Sequence, residues 1–453
     1  MNEQTSRPEN KMGVLPIPKL LFSMAIPIML SMMVQALYNV VDSIFVAKLS
    51  EDALTAVSLG FPMQNLVIAF STGLGVGINA LLSRSLGEHN QKMVDESARQ
   101  GFFLEMCTAV LFMVLGFTVS GAFIRSQSDN AAIVADGITY LKICIGICPF
   151  LFAAIYFERL LQATGKTKLS MISQMTGAIV NIVFDPICIF VLDWGVAGAA
   201  AATVFGQFCS AMVGLFLHLK YNKEIHLSLR GFRPHGHVIG SILSVGVPSI
   251  IMASIGSVMT YSMNRILNGF TSTAVAVFGV YFKLQSFIFM PVFGLNNAIV
   301  PIIAYNYGAR RPDRMKKTIK LACAVAMAIM FAGFLALQLF PHVLLGMFDA
   351  SADMLAIGIP ALRTISIAFL AAGVCIIIGS SFQALGKGVY SMVVSIARQL
   401  VVLVPVAWLL SKTGSLRAVW WSYPIAEIMG VACTVIFFLH LNKTVIKPLE
   451  QRK

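Results

Sequence analysis

Long apolar stretches alternate with short polar loops along nearly the whole chain. A predominantly apolar stretch of about 20 residues predicts a helix that crosses a lipid bilayer. About twelve such segments can be recognised. Their approximate centres are Met32, Leu66, Val110, Ile147, Ile179, Phe205, Ile251, Phe287, Met327, Ala368, Val401 and Ile428. The pattern predicts an all-α polytopic membrane protein with about twelve transmembrane helices.

Basic residues concentrate in the loops that follow the even-numbered segments. Lys92, Lys166, Lys223, Arg311 and Lys387 are examples, one from each such loop, whereas the other loops carry only scattered charges. Lysine and arginine are enriched in the cytoplasmic loops of membrane proteins. We therefore expect both termini to be cytoplasmic.

The composition supports this class and excludes others. Hydrophobic residues make up 57% of the chain and charged residues 12%, and the mean hydropathy is +0.81, which is unlike a soluble domain. The net charge of +13 lies mostly in short loops, where it sets topology, so no nucleic-acid partner is expected. All eight cysteines lie inside apolar segments. Cys144 and Cys148 are predicted to be small buried residues, and neither a disulfide framework nor a metal site is expected.

The chain repeats itself at an offset of 221 residues: Pro27 is matched by Pro248, Gln64 by Gln285, and the string LQATGK by FQALGK. Each half holds an even number of segments, so the halves start on the same side of the membrane and are related by an axis along its normal. We predict two pseudo-symmetric six-helix lobes, residues 1–219 and 238–453, joined by a cytoplasmic linker at residues 220–237. This is a common architecture of alternating-access transporters.

Polar residues recur on one face of two segments in the first lobe. Residues three, four or seven positions apart share a face of a helix. On the first and fifth segments these residues are Gln35, Tyr38, Asn39, Asp42, Gln174, Asn181 and Asp185. Most of this pattern is absent from the second lobe, where Asp42 falls on Met263 and Asp185 on Val406. The difference marks this face of the first lobe as a candidate site.

Asp42 and Asp185 are expected to lie at a similar depth, because at about 1.5 Å per residue both reach the outer half of the bilayer. Two carboxylates and two amides there suit a cation. Burial and like charge favour the protonated form of a carboxyl, and carboxylate and amide oxygens also suit sodium. Two structural interpretations stay open, in which Asp42 begins the next loop and Asp185, before Pro186, only shapes a helix kink.

The second lobe has polar residues of its own. Lys283, Arg398 and Glu427 have no polar counterpart in the first lobe, and Gln285 repeats Gln64. Arg398 lies too deep in its segment to reach water easily, so we expect it to pair with a carboxylate such as Glu427. A structural role and a gating role are both consistent with such a pair.

An enzyme is not indicated, because no histidine lies within a segment beside a serine or cysteine partner. Gly73, Gly75 and Gly77 resemble part of a dinucleotide-binding loop, but they lie within an apolar segment that no strand precedes. Close helix packing is therefore the predicted role of these glycines. No cofactor is expected apart from a coupling ion, which is a proton or sodium.

Several motifs resemble those of the multidrug and toxic compound extrusion (MATE) family. They are VVDSIFVAKLSEDALTAVSLG at the end of the first segment, GLGVGINALLSRSLGEHN in the second, the LQATGK and FQALGK pair, and YFKLQSFIFMPVFGLNNAIVPIIAYNYGARR. The resemblance covers nearly the whole chain and points to the DinF-like and MepA-like branch of that family.

The resemblance implies a twelve-helix exporter that uses a proton or sodium gradient to expel organic, often cationic compounds. In that branch an aspartate on the first helix and an Asn/Asp pair on the fifth form the cation site, and Asp42, Asn181 and Asp185 match them in type and spacing. Other branches place an acidic cluster in the second lobe. Here Glu427 is the only carboxylate deep in a second-lobe segment.

We therefore expect a secondary active antiporter that exports drugs or toxic organic cations across the plasma membrane of a bacterium and acts as a monomer. The alternative is a flippase for a lipid-linked precursor. A flippase of this kind requires a basic cavity, for which Arg398, Lys283 and Arg363 are the candidates.

Overall fold

The structure, a computed structural model, describes residues 9–228, 230–348 and 350–451. The described residues form helices joined by turns and short loops, and none of them lies in a strand. The predicted all-α polytopic architecture is confirmed. Residues 1–8, 452 and 453, which belong to the predicted lobes, lie outside the described part of the chain.

Nineteen α-helices follow one another in the described residues. Those of the first half are α1 (Lys11–Val14), α2 (Ile17–Ala47), α3 (Glu51–Gly87), α4 (Gln91–Arg125), α5 (Ala131–Gly146), α6 (Pro149–Ala163), α7 (Thr167–Pro186) and α8 (Gly195–Tyr221). Those of the second half are α9 (Gly236–Asn268), α10 (Ser272–Gly308), α11 (Pro312–Leu339), α12 (Pro341–Gly346), α13 (Ala352–Ser366), α14 (Phe369–Ala384), α15 (Gly388–Ile396), α16 (Val404–Ser411), α17 (Leu416–Trp420), α18 (Ser422–Leu441) and α19 (Lys447–Gln451).

Three short π-helical segments extend these helices. Ile187–Val191 continues α7, Ala397–Leu403 joins α15 to α16, and Asn442–Ile446 joins α18 to α19. Such wide turns are rare and are often found at functional sites. The first of them begins two residues after Asp185.

Two spans in the described chain are bent. Ten continuous helical stretches, three of which include a π-helical segment, are long and apolar enough to cross a membrane alone, and two further pairs of helices pass the same test jointly. α5 and α6 meet at 44°, and α13 and α14 meet at 47°. Pro149 begins α6 and has no amide hydrogen to continue the bonding of α5. If each bent pair is one span, the number of spans is twelve, as predicted.

The repeat preserves the way in which helices begin. The Ser50 hydroxyl accepts a hydrogen bond from the Ala53 amide at 2.9 Å and caps α3. The Thr271 hydroxyl accepts one from the Ala274 amide at 3.0 Å and caps α10. A hydroxyl in this position satisfies one of the free amides of the first helical turn.

The two halves pack together near the loops that carry most of the basic residues, which we call the basic end. These loops connect α3 to α4, α6 to α7, α8 to α9 and α10 to α11. A Cβ on Gly77 would overlap the Ile242 carbonyl of α9, and one on Gly87 would overlap the Tyr305 carbonyl of α10. Backbones this close require glycine. Gly73 likewise faces α9. Gly73 and Gly77 therefore have the packing role expected from the sequence.

Farther from the basic end, α2 and α9 carry exposed side chains among buried ones. Met29 of α2 still meets Gly294 of α10. Beyond it, Gln35 and Asn39 of α2 are exposed, and so is Tyr261 of α9. The close backbone contacts between the halves at Gly77 and Gly87 therefore lie at the basic end.

We expect Gly77→Ala to destabilise the contact between α3 and α9 by about 1–3 kcal/mol, because the methyl group must displace a backbone carbonyl. The apparent Tm of the purified protein in detergent should fall. Gly240→Ala is the matched control, since Gly240 lies on α9 with nothing within 4 Å of an added Cβ. Equal Tm values for the two variants would contradict the prediction.

Candidate functional site

The structure brings Asp42 of α2 and Asp185 of α7 together, with their carboxyl groups within hydrogen-bonding reach of each other. Asp185 is fully buried and Asp42 is partly buried. Oδ1 of each is buried and has no hydrogen-bond partner among the described residues. Two negative carboxylates in contact repel strongly where water is scarce. Within the described part of the chain, no cationic side chain is among the groups that interact with either carboxyl.

Asp42 lies inside a helix, because α2 continues to Ala47. This placement excludes the interpretation in which Asp42 begins the next loop. Asp185 lies at the end of α7, directly before Pro186 and the π-helical turn. A role in shaping this turn and a role in charge binding are compatible for Asp185, since its carboxyl faces Asp42.

Asn181 lies one turn before Asp185 and joins the pair to α8. In the orientation of its amide that satisfies both polar atoms, the nitrogen donates to Asp185 Oδ2 at 3.3 Å. The oxygen then accepts from the Thr203 hydroxyl and the Thr203 backbone amide, each at 3.2 Å. Asn181 is buried, so this bond fixes the direction of the Asp185 carboxyl.

Polar groups from α3 and α5 complete the surroundings of Asp42. Tyr140 and Cys144 of α5 interact electrostatically with the Asp42 carboxyl. The Tyr140 hydroxyl also donates to Gln64 Oε1 of α3 at 3.4 Å. Sequence reasoning missed these residues and Thr203. The one sequence feature that could have identified any of them is the recurrence of Gln64 in the repeat. Contacts between helices depend on how each helix is rotated, and a single sequence does not determine that rotation.

The other polar residues of α2 and α7 are less central. Tyr38 interacts electrostatically with Asp42 and Asp185 and lies near Gln35. Gln35 and Asn39 are exposed, and Gln174 is partly buried. Among the described residues, no hydrogen bond joins the side chain of Asn39 or Gln174 to the carboxyl pair.

A second buried network lies nearer the basic end and crosses between the halves. The Arg159 guanidinium of α6 donates to Gln162 Oε1 at 2.9 Å and to Asn297 Oδ1 of α10 at 3.3 Å. Glu105 of α4 accepts a hydrogen bond from the Ser71 hydroxyl at 3.0 Å and interacts electrostatically with Arg159. The sequence contains a feature that indicates this network, because Glu105 and Arg159 are ionisable residues within apolar stretches. We did not identify it from the sequence.

In the second half, Arg398 pairs with Glu427 of α18, with Nη1 3.3 Å from Oε2. Gly430 makes room for this pair, because a Cβ there would lie 2.8 Å from Arg398 Cδ. The repeat places Gly177 and Gly206 at the equivalent positions of the first half. There the backbones of α7 and α8 touch directly, and a Cβ on Gly206 would lie 2.7 Å from the Gly177 carbonyl oxygen.

Lys283 and Gln285 do not join the Arg398–Glu427 pair. Lys283 is exposed, and its ammonium lies 5.7 Å from the centre of the ring of Phe348, a residue between α12 and α13. Gln285 is partly buried, and its Oε1 has no hydrogen-bond partner among the described residues. Arg363 is exposed and donates to the Gln338 carbonyl at 3.2 Å. Arg398, Lys283 and Arg363 thus make separate contacts and do not form one cluster.

Comparison with known proteins agrees with this arrangement. The family model described as MatE matches residues 27–187 and 248–409, and its two matches begin at the repeated prolines Pro27 and Pro248. Multidrug export protein MepA of Staphylococcus aureus is 24% identical over 441 residues, which is 96% of each chain. The MepA protein of Staphylococcus haemolyticus is 27% identical over 440 residues, which is 95% of each chain.

A solved structure described as the outward-facing conformation of a multidrug resistance MATE family transporter covers 98% of this chain and 99% of its own. Its TM-score is 0.90 and its sequence identity 26%. These relatives are transporters rather than enzymes. Because the family model covers well over half of the sequence, and in two halves, this chain belongs to the MatE family.

Proposed function

We propose that this chain is a secondary active multidrug efflux antiporter that exports organic, cationic amphipathic compounds in exchange for protons or sodium ions. The single observation that carries this proposal is the contact between the Asp42 and Asp185 carboxyls, held by Asn181 within membrane-spanning helices. The names of the MepA relatives support drug export as the task.

Exchange follows from competition for negative charge. With both carboxyls ionised, the pair attracts a cation strongly, because little water screens it. A proton or sodium ion that reaches the pair cancels part of this attraction and weakens the hold on a cationic substrate. Ion binding therefore favours release of the drug, and loss of the ion prepares the site for the next one.

The orientation of the exchanger is part of the proposal. The basic end is cytoplasmic by the distribution of lysine and arginine, so both termini are cytoplasmic. The membrane is the plasma membrane of a bacterium, as the bacterial MepA relatives suggest. Contact between the halves at that end then gives an outward-facing state. One chain supplies both carboxyls and Asn181, which supports a functional monomer.

The flippase alternative has less support. A flippase for a lipid-linked precursor needs several cations facing one cavity, so that they can bind phosphate groups. Arg398 is neutralised by Glu427, Lys283 lies against Phe348, and Arg363 is bound to a backbone carbonyl.

The proposal is tested by dye efflux from proteoliposomes, with a proton gradient and a sodium gradient imposed separately. Efflux of a cationic dye should follow one of the two gradients in the wild-type protein. We expect Asp42→Asn to reduce it to the level of empty vesicles, since the variant loses the titratable, ion-binding group. Ser43→Ala is the matched control, since Ser43 is exposed on α2 beside Asp42 and its hydroxyl donates to the Asn39 carbonyl.

Two outcomes would contradict the antiporter. One is unchanged efflux by the Asp42→Asn variant, which would show that the ion does not bind at Asp42. The other is the absence of efflux under either gradient for well-folded wild-type protein, which would favour the flippase.

Asn181→Ala should slow gradient-driven efflux roughly tenfold or more, because a hydrogen bond to a charged group contributes about 1.5–3 kcal/mol. The carboxyl of Asp185 would lose the group that orients it while keeping its charge. Initial rates at several dye concentrations would measure the effect. Wild-type rates in this variant would show that Asn181 does not position Asp185.

We further propose that the Arg398–Glu427 pair is a structural connection, the counterpart of the Gly177–Gly206 contact. Removing one charge from a buried pair costs about 3–5 kcal/mol, and less where water has partial access, as it does here. Arg398→Met and Glu427→Met should each lower the apparent Tm. The double variant should recover both stability and efflux, and stable but inactive double-variant protein would favour gating instead.

A further inference from the structure

A groove of about 320 Å³ lies at the basic end of the second half, where α11, α14 and α18 come together. It is separate from the carboxyl pair, which belongs to the first half. Its lining combines two lysines and one amide with apolar side chains and a thiol. These residues are Lys316, Ile319, Lys320, Cys323, Ile378, Phe438 and Asn442.

The polar and apolar parts of this groove are arranged by depth. α11 begins at Pro312 at the basic end, so Lys316 and Lys320 lie within its first turns, and Cys323 lies deeper. α18 runs in the opposite direction and ends at the basic end. Asn442, which follows α18, therefore lies nearer that end than Phe438. A cationic rim therefore stands above an apolar wall.

The rim carries charge that the protein balances only in part. The Lys316 ammonium lies 2.6 Å from Glu450 Oε1 of α19. Lys320 is exposed, and within the described ranges it has no carboxylate partner. Basic pockets between membrane helices attract anionic head groups, with about 1 kcal/mol for each lysine near the surface.

We propose that this groove binds an anionic phospholipid of the leaflet at the basic end. The phosphate group lies at Lys320 and Lys316, and an acyl chain lies against Ile319, Ile378 and Phe438. A free soluble anion would use the rim but not the apolar wall. A zwitterionic lipid would use the wall but would not benefit from the net positive charge of the rim.

Cys323 provides a native probe of occupancy, because it lines the groove. Purified full-length protein in detergent is treated with N-ethylmaleimide, and modification of each cysteine is followed by mass spectrometry. Phosphatidylglycerol should slow the modification of Cys323 about fivefold. It should leave Cys107 unchanged, since Cys107 is exposed on α4 in the other half.

Charge variants test the rim. Lys320→Gln should raise the phosphatidylglycerol concentration needed for half protection of Cys323 about fivefold. Lys317→Gln is the matched control, because Lys317 has the same charge and is exposed in the same turn of α11 but does not line the groove. The control should leave the half-protection concentration unchanged.

Four outcomes would overturn the proposal. They are no protection of Cys323 by phosphatidylglycerol, equal protection by phosphatidylcholine, equal protection by inorganic phosphate, and equal shifts in the Lys320→Gln and Lys317→Gln variants. The second would make the groove a general lipid contact, and the third would make it a site for a soluble anion. The fourth would reduce the effect to diffuse surface charge.

Discussion

A charge buried among membrane helices costs several kcal/mol unless another group balances it, and this constraint governs where the protein places its ionisable residues. In the second half the constraint is met internally, by the Arg398–Glu427 pair. Between the halves, Arg159 is met by the amides of Gln162 and Asn297. Asp42 and Asp185 face each other, and no basic side chain of the described residues is among the groups that interact with them. The carboxyl pair is thus a buried ionisable group whose charge no neighbouring cation of the described chain balances, and this is why we propose it as the ion site.

The two halves keep the same scaffold and differ in their chemistry. Both begin a long helix with a hydroxyl cap, and both contain a bent span at the corresponding place. At the carboxyl pair, however, the second half carries apolar residues, and at the Arg398–Glu427 pair the first half carries two glycines. The duplicated framework thus carries a buried carboxyl pair in one half and a buried Arg–Glu pair in the other.

Much of this organisation could be predicted from the sequence, because apolar length and charge in loops follow directly from the bilayer. The repeat located the halves, and the unmatched aspartates located the carboxyl pair. The partners of these residues could not be predicted. Whether Tyr140 or Thr203 reaches the pair depends on the rotation and tilt of whole helices, which packing sets. The long extension of α2 past Asp42 was also undecided, since helix ends within polar sequence are weakly specified.

The packing of α2 has a consequence for biosynthesis. Leu20, Met24 and Ile28 of α2 belong to the same apolar core as Ile299 and Ile303 of α10. The ribosome makes these parts roughly 270 residues apart, which corresponds to tens of seconds of translation at about 5–20 residues per second. During that delay these residues of α2 lack their packing partners on α10. The first half is therefore synthesised before α2 can complete its packing, which forms only after α10 has been made.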